Sequence, residues 1–256
     1  MGIQLKVTTP RWLRGTLPRL QTMFHQMANE QGRFALVTPE HEVQAFGMVP
    51  KDPIRKAAIL VPLVLDGGNS DKPSLLLTKR SSKVSTHKSQ ISFPGGHWED
   101  EDESLVDTAL REAQEECPSR HWSSTIIVGQ CTTLPSVRGT PVTSVIGVVP
   151  ETVSITDFGY NPDEVEEVFL VALEDLVAKE TSKPLGRISS PGPVFPTEHG
   201  DIWGLTAFII RPILHKLLKP VFVDGFSLSN NDNAAGGAAL SDRPSSSSDQ
   251  TKNSSL

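Results

Sequence analysis

The amino-acid sequence predicts an α/β fold, a sandwich of strands flanked by helices. Apolar runs of strand length recur along the chain, as in AAILVPLVL at 57–65, which is continuous, as for a strand buried on both faces. Two stretches, 15–30 and 203–218, instead place their apolar residues at helical spacing. Between them the charge inverts: a basic segment at 79–88 is followed by an acidic one at 99–116.

In chain order, Leu17, Leu20, Met23, Phe24 and Met27 share one helical face, so 15–30 is expected as a helix packed on the domain. Residues 57–65 and 73–78 read as strands, and 90–93 as a short one leading into a Gly95-Gly96 turn. Asp102 or Glu103 starts an acidic helix, since acids favour its positive N-terminal end. Leu105, Ala109, Leu110 and Ala113 form the buried stripe of that helix. Residues 125–133 and 141–149 are strands, β-branched and partly alternating. Residues 165–171 are another, running into a short helix near 173–179. The 203–218 helix is expected to bend at Pro212, which cannot donate to the helical ladder. From about Ser229 the chain turns to Ser, Asn, Gly, Ala and Asp. Such a segment buries too little surface to offset its ordering entropy, so disorder is expected. The organisation is an N-terminal extension over 1–34, carrying a helix and a candidate targeting segment, one domain over 35–226, and a tail over 227–256.

With 256 residues the chain can build one medium domain with a substantial core plus tails. A net charge of −6 and a pI of about 5.7 disfavour nonspecific nucleic-acid binding. Two cysteines, Cys117 and Cys131, read as reduced, half-buried thiols of a reducing compartment. No apolar run reaches the ~18 residues of a membrane span. Lys6, Arg11, Arg14 and Arg19 precede the first acid, Glu30, as in a mitochondrial transit segment, although Pro10 and Pro18 would interrupt an amphipathic helix. Peroxisome and cytosol are the alternatives, the former from a loose Ser254-Ser255-Leu256 match to a peroxisomal address.

The chemistry concentrates in FPGGHWEDEDESLVDTALREAQEE at 93–116. On a helix, Glu112 and Glu116 point the same way and Glu115 lies beside them. Carboxylates packed that closely raise the cost of one another's ionisation, and a divalent cation removes that cost. Hard oxygen ligands suit Mg²⁺ or Mn²⁺, which complete their shell with water and substrate phosphate. Upstream, Lys79, Arg80, Lys83, His87 and Lys88 come without an acid, whereas 99–116 holds nine acids. A basic loop feeding a Gly-Gly turn and an acidic helix can grip a polyphosphate from two sides.

These residues resemble the Nudix hydrolase family, whose signature is a Gly, a later Glu, seven residues, then Arg-Glu-x-x-Glu-Glu. Here Glu103 is followed by seven residues and Arg111-Glu112. Gly96 lies one residue further from Glu103 than the general signature has it, an insertion characteristic of the branch similar to coenzyme A pyrophosphatases. That branch carries an upstream LLTxRS, a His and VxFPGG. This chain has Leu76-Leu77-Thr78-Lys79-Arg80-Ser81, His87 and Ile91-Ser92-Phe93-Pro94-Gly95-Gly96. Asn161-Pro162-Asp163-Glu164-Val165 and Trp203-Gly204-Leu205-Thr206-Ala207 also match. The resemblance runs from about Ala57 to Leu218. Ser85, Ser89, Glu99 and Pro118 depart from the pattern, and none of them removes a metal ligand.

The resemblance implies an α/β/α sandwich with a mixed sheet, the acidic helix lying on it. Glu112 and Glu116 are the expected ligands of Mg²⁺ or Mn²⁺. Glu115 is either a third ligand or the base that activates water. Glu103 and Arg111 are expected to orient the turn and the carboxylates. Arg80, His87, Gly95 and Gly96 are the expected substrate contacts, and Glu164 is a candidate late acid. The implied substrate is coenzyme A or acyl-CoA, cleaved to 4′-phosphopantetheine (or its acyl form) and adenosine 3′,5′-bisphosphate. ADP-ribose or another nucleoside diphosphate derivative stays open, as does a nucleotide-binding domain without catalysis.

Overall fold

The computed structural model describes residues 11–29, 56–69, 71–83, 89–131, 133–136, 139–184 and 191–224. Expectations for His87, for the tail from 227 and for residues 1–10 fall outside them. In chain order come α1 (Arg11–Asn29), β1 (Ala57–Asp66), β2 (Lys72–Arg80), β3 (Ile91–Ser92), β4 (Gly95–His97) and α2 (Leu105–Glu116). Then follow β5 (Ile126–Gln130), β6 (Leu134–Pro135), β7 (Pro141–Val153), β8 (Val165–Ala172), α3 (Leu173–Lys179), β9 (Thr181–Pro184), β10 (Pro191–Thr197), β11 (Gly200–Ile202) and α4 (Gly204–Ile213).

Neighbouring residues of β1 bury on opposite faces of the sheet, which is why its sequence is apolar throughout. Ala58, Leu60 and Val64 join a core with Leu105, Ala109 and Ala113 of α2. Val61 and Leu63 join a larger core with α1, α3 and α4. β1 is central, parallel to β7 and antiparallel to β2 and β4. The main path runs β3-β2-β1-β7-β5, with β8 also on β2 and β6 on β7. The mixed sheet is therefore sandwiched between α2 on one side and the other helices on the second, the α/β/α arrangement expected.

Four features differ from the sequence expectation. Gly95 and Gly96 are not a turn: they form β4, paired with Ile59 and Ala58. Residues 181–184, 191–197 and 200–202, rich in Pro and Gly, build a separate small sheet, β11-β10-β9. Pro18 lies inside α1 and does not break it. Leu13, Leu20 and Phe24 are each at most 1% exposed, and that packing outweighs one missing backbone donor. Past α4, the helix continues with π-type hydrogen bonding over Leu214–Val223, starting two residues after Pro212. Both cysteines are free and fully buried rather than half-buried. Burial pushes the Cys131 thiol up to about 12, so neither is placed as a reactive thiolate.

Candidate active site

Helix α2 starts later than Asp102 or Glu103, because Ser104 caps it. The Ser104 hydroxyl accepts from the Asp107 amide at 3.2 Å and donates to the Asp107 carboxylate at 2.7 Å, close to a capping box. This register turns Asp102 inward and leaves Glu103 exposed. Asp102 accepts from the Glu99 amide (3.0 Å), the Thr108 hydroxyl (2.9 Å), Arg111 Nε (3.0 Å) and Arg111 Nη2 (3.1 Å). The carboxylate that orients Arg111 is thus Asp102, while Glu103, which the resemblance implies orients the turn and the carboxylates together with Arg111, is exposed. Hydrogen bonding from Arg111, above all, holds the Asp102 carboxyl down at about 2.

Arg111 spreads from this anchor. Its Nη2 donates to the His97 carbonyl at 2.8 Å, tying α2 to β4. Nη1 lies 3.3 Å from both oxygens of Glu115, and Nη2 lies 3.4 Å from Glu112. Glu115 is therefore on the exposed side, held by Arg111, and near enough to Glu112 to disfavour its charge.

Glu112 and Glu116 face the sheet. Gly96, with no side chain, makes the approach of Glu112 possible, and Gly95 lets β4 lie close against β1. A Cβ on Gly96 would fall 2.4 Å from Glu112 Oε1, and one on Gly95 would fall 2.4 Å from the Ala58 carbonyl. Burial raises the Glu112 pKa, with Arg111 opposing it and Glu115 adding to it. Glu116 is 2% exposed. Arg80 Nη1 donates to its Oε1 at 3.3 Å, while Oε2 has no hydrogen-bond partner. Burial pushes its carboxyl up to about 7; Arg80 and the Gly95 backbone pull it down, and Glu112 and Glu164 push it up.

Arg80 reaches Glu116 because it ends β2, opposite Val165 of β8. The adjacent Ser81 amide donates to the Glu164 carbonyl at 2.8 Å, and the Asn161 amide to the Glu116 carbonyl at 2.9 Å. The Asn161–Val165 motif thereby closes over the end of α2. Ser89, where the resembling branch has Gly, adopts φ 55° and donates its amide to the Arg80 carbonyl at 3.1 Å. Glycine reaches that backbone region more cheaply than Ser, and here it holds the hairpin that presents Arg80. The sequence signals for what was missed are specific: Ser104-x-x-Asp107 for the helix start, and the acid two residues before the cap for Asp102.

Among the described residues, no three His, Cys, Asp or Glu side chains converge as a ready-made metal cage. Two carboxylates do converge, with a third acid, Glu164, close enough to disfavour their charge. One buried oxygen is left without a partner. That donor set fits a hard divalent cation, which takes one or two carboxylates and fills its remaining positions with water and phosphate.

The NUDIX domain family matches residues 54–189 of the chain. A relative from Citrobacter koseri, "Uncharacterized Nudix hydrolase NudL", is 34% identical over 185 residues, covering 71% of this chain and 89% of its own. The protein of the same name from Pectobacterium atrosepticum is 37% identical over 165 residues, covering 62% of this chain and 81% of its own. Among solved structures, a MutT/nudix family protein from Enterococcus faecalis aligns with a TM-score of 0.40 at 15% identity, over 80% of this chain and 73% of that one.

Proposed function

The chain belongs to the NUDIX domain family and is a Nudix hydrolase, and on that premise we propose that it cleaves the pyrophosphate bond of coenzyme A and its thioesters. The supporting observation is the 3.3 Å contact between Arg80 and Glu116. It joins the Leu76–Ser81 motif, the feature that resembles coenzyme A pyrophosphatases, to the acidic helix common to the wider family.

In this reading Glu112 and Glu116 hold Mg²⁺ or Mn²⁺. When bound, such an ion neutralises charge on the diphosphate and makes a water more acidic. Glu115, exposed beside Glu112, takes the proton of the attacking water. Arg111, fixed by Asp102, keeps Glu112 and Glu115 oriented. Arg80 leaves Glu116 and meets substrate phosphate, where its planar fork suits the oxygens. Water attacks phosphorus in line, the bridging P–O bond breaks, and 4′-phosphopantetheine and adenosine 3′,5′-bisphosphate leave. Positioning and charge neutralisation carry most of the rate.

The test is turnover of coenzyme A, an acyl-CoA and ADP-ribose by the full chain with Mg²⁺ or Mn²⁺, with products identified by mass. The expected result is coenzyme A cleavage to the two named products, at higher kcat/KM than ADP-ribose. Faster ADP-ribose cleavage would transfer the site to the alternative substrate class.

A further inference from the structure

Behind the glycine strand, on the face of the sheet away from α2, lies a cavity of about 170 Å³. Ala57, Ile59, Phe93, Val142, Leu205 and Ile209 form most of its wall, and Gly95 and Gly96 complete it. No charged side chain lines it. The two hydroxyls in the wall are engaged: Thr206 donates to the Ile91 carbonyl at 3.2 Å, and Ser92 Oγ lies 3.5 Å from Thr78 Oγ1. The same Gly96 that borders the cavity carries the Glu112 carboxylate against it. The β4 backbone is thus shared by the two: it walls the cavity on one face and seats the Glu112 carboxylate on the other, so a ligand that rounds this short strand with its diphosphate at the carboxylates would present its neighbouring group to the cavity.

We infer that this cavity takes a compact, branched apolar group next to the diphosphate, and that in coenzyme A the group is the pair of geminal methyls of the pantoyl unit. The inference rests on the coenzyme A reading and adds the orientation of the substrate. Coenzyme A leaves its diphosphate in two directions. One arm runs through oxygen and a CH₂ to a carbon bearing two methyls. The other carries adenosine and a 3′-phosphate. An adenine placed in the cavity would set its ring nitrogens and amino group against a mostly apolar wall whose two side-chain hydroxyls already have partners, which is costly. Two methyls lose nothing there, and dry apolar cavities of about this size do hold small apolar groups. The adenosine arm is then directed to the Arg80 side.

The test uses the full chain with Mg²⁺ and methyl-labelled Ile and Leu. In complex with 4′-phosphopantetheine, nuclear Overhauser contacts are expected from the geminal methyls to Ile59, Leu205 or Ile209. Adenosine 3′,5′-bisphosphate should give none from its adenine protons. Leu205→Trp, which fills the cavity, should weaken 4′-phosphopantetheine binding about tenfold, as expected for roughly two methyls returned to water, and leave adenosine 3′,5′-bisphosphate binding unchanged. Adenine contacts to these methyls, or bound 4′-phosphopantetheine without geminal-methyl contacts, overturn the assignment while coenzyme A turnover stands. If the wild type neither cleaves coenzyme A nor binds 4′-phosphopantetheine, the substrate reading falls, and the assignment with it.

Discussion

At the two ends of α2, a buried carboxylate faces an arginine, and the two pairs finish in opposite electrostatic states. Asp102 collects four hydrogen bonds, two of them from Arg111, and its carboxyl is held at about 2. Glu116 collects one side-chain bond, from Arg80, and keeps one oxygen unpartnered; its carboxyl is pushed up to about 7. An arginine alone does not decide the outcome. A filled hydrogen-bond shell makes the charged form the cheap one, whereas like-charged neighbours and a vacant oxygen make it costly. The first pair is closed and positions the helix. The second is open and asks for a further cation.

The sharpest way to break this contrast is to remove the open end. Glu116→Gln and Glu112→Gln are each expected to lower kcat at least ~100-fold while the fold is kept, measured as Mg²⁺-dependent turnover alongside circular dichroism. Near-normal turnover would remove that residue from the ion-holding set. Next is Arg80→Ala. A charge-assisted contact contributes roughly 1.5–3 kcal/mol, so KM for coenzyme A should rise about ten- to a hundredfold, and that for dephospho-coenzyme A much less. Equal losses on both would assign Arg80 to the shared diphosphate. The substitution also removes the cation already on Glu116, so Mn²⁺ binding followed by electron paramagnetic resonance should tighten. Weaker Mn²⁺ binding would mean that Arg80 orders the carboxylates instead of competing for them.

Legibility in the sequence followed the physics of each element. β1, β2, β7, β8 and α2 announced themselves because burial on one or two faces forces a pattern on many consecutive residues. β4 did not, since Gly95 and Gly96 carry no side chain from which a strand could be read. The small β9–β11 sheet was hidden by Pro191, Pro193 and Pro196, which argue against a strand until edge positions are known. Within the site, the i, i+4 spacing of Glu112 and Glu116 was readable from the helix period. The choice between Asp102 and Glu103 turned on one residue of register at a helix start, settled by the Ser104 cap. Arg80 and Glu116 stand 36 residues apart, and only strand pairing brings them together.

The closed end gives a smaller, structural effect. Asp102→Asn keeps the shape but removes the charge that holds Arg111. A loss of about 2 kcal/mol is expected for charge-assisted bonds of this kind, or roughly 4–8 °C in Tm for a domain of this size. Calorimetry of the metal-free chain measures it. An unchanged Tm would show that Asp102 contributes orientation without stability.

The last prediction separates the two ends by pH. Glu116 has a folded pKa near 7 against 4.5 for a free glutamate, so between those values the folded state binds more protons than the unfolded one. Its contribution is fully present below about 4.5 and is lost as pH rises through about 7. Asp102 behaves in the opposite sense: its folded value near 2 lies below 3.8, so its contribution is present above about 3.8 and is lost as pH falls through about 2. From pH 5 to 8 the Glu116 contribution changes and that of Asp102 does not, and the metal-free wild type should lose roughly 5–10 °C relative to Glu116→Gln. Because metal binds the ionised carboxylate, saturating Mg²⁺ should abolish or reverse that slope. Parallel pH profiles for wild type and Glu116→Gln without metal would mean that the unpartnered oxygen of Glu116 is satisfied in solution, and the open end of α2 would then be as closed as the other.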